Sequence, residues 1–210
     1  MPPEKRDLER RRLAQRALDM MKDKGADVTP ADLAASEGVS RHRIDEVFDG
    51  EDDMVNAVAE VWLDPHITIM EEVLASDLPP NRKMYEFFVR RFRINRDRAV
   101  ADPAFFGLIC DLGAARFENV RSFVDLADHY LCQIIAEAQA DGFFAGLEID
   151  EALSLINQMV TNYTLPDSLL HIESRLSEDK LAQIVDTIFA GLSGEDGGAR
   201  GVNTLRLANN

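Results

Sequence analysis

Apolar residues recur at spacings of three and four along nearly the whole chain, and no sustained apolar/polar alternation bounded by turn residues appears. That periodicity fits the 3.6-residue turn of a helix and not the two-residue repeat of a half-buried strand, so the chain is restricted to an all-α fold. Residues 118–141 carry it most plainly: Val120, Phe123, Val124, Ala127, Tyr130, Leu131, Ile134, Ile135 and Ala138 fall on one stripe, and Gly142 stands where the helix must end. The pattern returns over 150–165 with Leu153, Ile156, Met159, Val160 and Tyr163, up to Pro166, and over 178–191, between a capping Ser177 and Gly191. In "ADPAFFGLICDLG", Asp102 is placed to cap a short helix, Pro103 to begin it and Gly113 to close it. "LPPNRK" separates a helix over 52–75 from one running over 81–98. With three helices before residue 50, about nine are predicted. From Ser193 the chain turns glycine-rich and polar, which predicts a disordered tail over 193–210.

No apolar run reaches the roughly 18 residues that span a bilayer, and "MPPEKRDLERRR" lacks the apolar stretch of a secretion signal, so a cytoplasmic protein without a membrane partner is predicted. The two cysteines, Cys110 and Cys132, lack metal-ligand spacing and read as buried, reduced thiols. A net charge of −15 argues against a general nucleic-acid binder, because affinity for DNA comes largely from cations that neutralise phosphates. The charge is unevenly spread, however. Residues 1–50 hold 10 Lys+Arg against 11 Asp+Glu, net −1, whereas residues 51–210 hold 13 against 27, net −14. A small DNA-facing module on an acidic body is compatible with that asymmetry.

The N-terminal quarter has the layout of such a module. Residues 7–24 form a helix with Leu8, Leu13, Ala17, Leu18 and Met21 inward, followed by Gly25. Thr29 caps a brief second helix that begins at Pro30 and breaks at Gly38. A third starts at Ser40 and carries Arg41, His42, Ile44, Val47 and Phe48. Two short helices joined through a glycine are the signature of helix-turn-helix, whose second helix meets base edges with its N-terminal residues, here Arg41, His42 and Arg43.

With Gly38, Val39, Ser40, Phe48 and Met54 at turn, cap and packing positions, the stretch from Leu13 to Trp62 resembles the N-terminal domain of the tetracycline-repressor (TetR) family. The helices that follow, ending in "DKLAQIVDTIFAGL", are similar in number and length to that family's ligand-binding and dimerisation region. The resemblance implies a DNA-binding domain over 1–50, a ligand-binding and dimerisation domain over 51–192, and a homodimeric repressor in which a small molecule alters the separation of two recognition helices. Thr29, Ser40, Arg41, His42, Arg43, Arg10 and Arg11 are the candidate contacts to operator DNA, the last two belonging to a basic segment, "EKRDLERRR", able to act as an arm on the backbone or minor groove. Two departures oppose DNA: Asp45 stands where the family has a phosphate-binding Tyr, and Glu51 where it has a Lys opening the fourth helix. Negative side chains there occupy a helix N-terminus that would otherwise attract phosphate.

Trp62, Tyr85, Phe88, Phe92, Phe105, Phe106, Tyr130 and Met159 are the candidate ligand-binding residues, read as walls of a cavity among the helices of 81–98, 103–112 and 118–141. The predicted effector is a bulky apolar small molecule, neutral or weakly acidic. No cofactor is implied, His66, His129 and His171 are too dispersed to announce a metal site, and no nucleophile elbow, phosphate loop or zinc motif supports an enzyme. Two readings stand: a ligand-responsive DNA-binding regulator, and a small-molecule or lipid binder that keeps the fold without binding DNA. The helices of 150–171 and 177–192 are the predicted dimer face.

Overall fold

The computed structural model describes residues 2–194, apart from the side chains of 117–119. Among the described residues there are ten α-helices, one 3-10 turn and no strand. The first four are α1 (Pro3–Lys24), α2 (Pro30–Glu37), α3 (Arg41–Asp45) and α4 (Glu51–Leu74). There follow α5 (Pro80–Ala101), α6 (Pro103–Ala115), α7 (Phe117–Ala140), α8 (Ile149–Thr164), α9 (Asp167–Ile172), the 3-10 turn (Glu173–Arg175) and α10 (Glu178–Leu192). Among these residues, no helix is long and apolar enough to cross a membrane.

Side-chain caps set four of the ten α-helix starts. Thr29 and Asp32 form a reciprocal box at the start of α2, the Asp102 carboxylate accepts the Phe105 N–H at 3.0 Å ahead of α6, and the Ser177 hydroxyl accepts the Lys180 N–H at 3.2 Å ahead of α10. Three boundaries depart from the sequence reading. The basic segment is no arm: a proline at the first helical position and Glu4 in the first turn let α1 begin at Pro3. Gly113 lies inside α6, which runs on to Ala115 because the Arg116 N–H still bonds the Leu112 carbonyl at 3.1 Å. Residues 167–172 add a tenth helix after Pro166, where a continuation of the preceding one was read. α4, by contrast, contains Pro65 and continues, although the ring removes the donor owed to the Val61 carbonyl. Beyond residue 194, the predicted tail lies outside the described residues.

Two apolar cores share α4. The first gathers Leu13, Ala17 and Met21 of α1, Leu33 of α2, Ile44, Val47 and Phe48 around α3, Met54, Ala57 and Val58 of α4, and Phe105 of α6. The second gathers Ile69, Met70 and Val73 of the same α4 with the inner faces of α5, α7, α8 and α10. Trp62 packs against both. The thiols of Cys110 and Cys132 are free and half-buried rather than enclosed.

Candidate nucleic-acid interface and effector region

The turn between α2 and α3 needs its glycine. Gly38 sits at φ 66°, a left-handed conformation in which its N–H caps the Ala34 and Ala35 carbonyls, and Val39 N–H bonds Ala34 at 3.0 Å. The Ser40 hydroxyl then accepts the Arg43 N–H at 3.3 Å, and Ile44, Val47 and Phe48 bury completely, which fixes the rotation of α3. Arg41, His42 and Arg43 are thereby turned outward.

Those outward side chains are engaged by neighbouring acids. Arg41 Nε lies 2.7 Å from Asp45, Arg43 Nη1 2.5 Å from Glu46, and His42 Nε2 3.8 Å from Glu46. The Arg43 guanidinium holds the Glu46 carboxyl below its ordinary range. Glu46 was missed in the sequence reading, although its i+3 spacing from Arg43 was the available signal. Thr29 spends its hydroxyl within the α2 cap, donating to Asp32 at 2.6 Å and accepting the Asp32 N–H at 3.2 Å.

The basic face of α1 is likewise turned onto the protein. Arg10 clasps Asp53 through both terminal nitrogens at 2.8 Å, lies over the Phe48 ring at 5.3 Å, and raises the acidity of Asp53, which also accepts the Asp49 N–H. Arg11 pairs with Asp64 at 2.5 Å and Arg12 with Glu37 at 2.6 Å. Asp52, beside Glu51 in the first turn of α4, pairs with Arg116 at 2.7 Å.

The candidate ligand residues divide into three groups. Trp62, Phe105 and Phe106 meet, with ring centroids 5.9 and 6.3 Å apart from the indole. Phe88 and Phe92 lie inside the second core, in edge contact with Phe87 and Tyr163 respectively. Tyr85 sits beneath Arg82, Tyr130 donates to Glu71 at 3.4 Å, and Met159 is 42% exposed. The eight therefore do not line one cavity. A recess of about 10 Å³, room for about one water, opens instead among Phe88, Arg91, Asn95, Tyr163 and Thr164.

Residues 80–185 match the family described as the tetracyclin repressor-like C-terminal domain. The chain belongs to the TetR family. Its fold is also that of solved TetR structures. A TetR/AcrR-family transcriptional regulator from Thermobifida fusca YX-ER1 aligns with TM-score 0.59 at 18% identity, covering 87% of this chain and 97% of that one. The TetR-family regulator PfmR from Thermus thermophilus gives 0.54 at 16%, covering 87% and 100%. The ketosteroid transcriptional regulator KstR2 of Mycobacterium tuberculosis gives 0.51 at 17%, covering 89% and 96%. No curated protein sequence matches the chain.

Inside the segment that matches the TetR C-terminal domain, α5 places polar groups among its aromatic rings. Met84, Phe87, Phe88, Arg91, Phe92, Asn95 and Arg98 succeed one another at helical spacing, so the aromatic face of this helix also carries two guanidiniums. Arg91 lies between Phe87 and Phe123, 4.9 and 5.5 Å from their centroids, and its Nε is buried without a partner. Arg98 lies 3.8 Å from the Trp62 ring centre and 3.4 Å from His66 Nε2. Burial, with the charges of Arg91 and Arg98 adding to it, lowers His66 to about 3, so this imidazole is neutral at physiological pH. Burial also lowers both arginines to about 10, which leaves them charged.

Proposed function

We propose that this TetR-family regulator acts in the cytoplasm as a homodimeric, ligand-responsive repressor, reading a pseudo-palindromic operator with Arg41, His42 and Arg43. The observation that carries the reading is the anchoring of α3: a glycine turn, a serine cap and three buried apolar residues present its N-terminal cations to solvent. Arg10 and Arg11 act beside them at the backbone edge, and Thr29 and Ser40 hold the two helix starts. α8, α9 and α10 supply the dimer face, for which exposed Met159, Leu165 and Leu170 are the apolar material. The effector enters the body near Trp62 and Phe106, between the two cores.

A second reading is favoured by one specific observation. Arg41 and Arg43 are paired with Asp45 and Glu46, and Glu51 opens α4 with negative charge, as expected of a small-molecule binder that no longer uses DNA. A mobility-shift titration against DNA flanking the protein's own gene, at low and moderate salt, decides between them. Specific shifts that weaken with salt are expected. Absence of any shift at low salt selects the second reading.

A further inference from the structure

Six arginines lie on α5, and they fall into two sets. Arg82, Arg90, Arg93 and Arg96 reach carboxylates, of Glu86, Glu72, Glu178 and Glu178 respectively. Arg91 and Arg98, the two nearest the core, form no ion pair among the described residues. Asp128 favours the charged form of Arg91 without pairing with it, and is itself held by Asn157 at 2.9 Å. The buried cation of this helix, Lys83, shows that the fold can satisfy one when stability is all that is required. Lys83 Nζ donates to the Leu74 carbonyl at 2.9 Å and lies 2.8 Å from Glu137. A guanidinium removed from water without a counter-charge is destabilising, since its desolvation is not offset.

We propose that Arg91 and Arg98, with Asn95 and His66 between them, form the recognition site for the carboxylate of an acidic effector, a monocarboxylic acid with an apolar, ring-bearing body. The proposal rests on the reading of this domain as effector-binding and supplies the chemistry of the ligand. Arg91 offers the unused Nε donor of a planar fork suited to two carboxylate oxygens. It borders the recess, which Asn95, Tyr163 and Thr164 also line. The recess seats a head group only. The ligand's body has to displace Phe123, a half-buried ring that contacts both Arg91 and His66. On the other side of His66, Arg98 rests on Trp62, which packs against both cores and so stands where a change in the body can reach the head.

The test uses the full chain with 4-phenylbutyrate, its neutral amide 4-phenylbutyramide, and phenethyl phosphate, with affinity measured by calorimetry. The acid is expected to bind at least ten-fold more tightly than the amide and than the phosphate. Trp62, the sole tryptophan, should change its emission on binding. Arg91→Met should weaken the acid at least ten-fold and, by removing a half-buried charge whose Nε has no partner, raise the melting temperature of the unliganded protein. Arg98→Gln should weaken the acid too, so the proposal survives a failure of the first variant to fold. Equal binding of acid and amide, tighter binding of the phosphate, binding of none, or a lower melting temperature in soluble Arg91→Met overturns it. Mobility shifts on the same preparation separate the two failures. A protein that binds DNA yet shows no preference for the acid refutes the carboxylate site alone, and one that binds the acid but no DNA refutes the regulator alone.

Discussion

The two ends of the molecule treat arginine in opposite ways. At the N-terminal face Arg10, Arg11, Arg12, Arg41 and Arg43 all reach carboxylates, mostly at the surface. Within the body, Arg91 and Arg98 sit among aromatic rings and, among the described residues, reach none. Exposed pairs contribute little, so the α3 cations can exchange a carboxylate for a phosphate or a base edge at small cost. An unpaired interior cation is costly at all times, and its presence points to something that arrives to meet it.

The contrast can be broken or sharpened, beginning with the largest effect. His66 is buried and its folded pKa lies below its unfolded one, so on acidification the unfolded chain takes up the proton first. Its contribution to stability is complete above about pH 6.5 and is lost progressively as pH falls towards 3, by up to about 1.4 kcal/mol per unit. Urea denaturation of His66→Gln across that window should show a shallower loss than the parent. Next, Asp53→Ala leaves the half-buried Arg10 without its two-pronged partner and should cost about 2 kcal/mol by the same measurement. Glu51→Lys adds a phosphate-facing cation at the start of α4. It should tighten DNA binding by roughly five- to ten-fold at low salt, less at high salt, and steepen the salt dependence by about one counterion per subunit. The smallest effect belongs to Asp45→Asn, which breaks an exposed pair with Arg41. Stability should move by less than about 0.5 kcal/mol, while DNA affinity rises if the freed arginine meets phosphate.

The helices, their caps and the helix-turn-helix were legible because each depends on a few neighbouring residues: Thr29 with Asp32, Gly38 with Ser40, Asp102 with Pro103. Pairings across distant segments were not. Nothing local in "ERRRLAQ" indicates that Arg10 will meet Asp53, or that Arg11 will meet Asp64, since those partners are brought near only when α1 packs on α4. The aromatic residues were visible but their grouping was not, because one stripe cannot reveal which rings from other helices face it. Phe105 and Phe106 are adjacent in sequence yet enter different cores. Arg91 is visible in the sequence at i+3 from Phe88, but the rings that flank it and the lack of a carboxylate partner among the described residues depend on how α7 packs against α5.

Pro65 gives α4 a mechanical character. The helix has 24 residues, and from Glu51 to the proline is about 21 Å at 1.5 Å per residue. A bend of about 5° at the missing hydrogen bond sweeps the Glu51 end through about 2 Å, more than half the 3.4 Å rise between stacked bases. In the homodimer proposed above, the same bend in both copies would change the spacing of the two α3 helices by about one base step. On that reading, a bend this slight at Pro65, one position before His66, would put a symmetric ruler out of register with its scale.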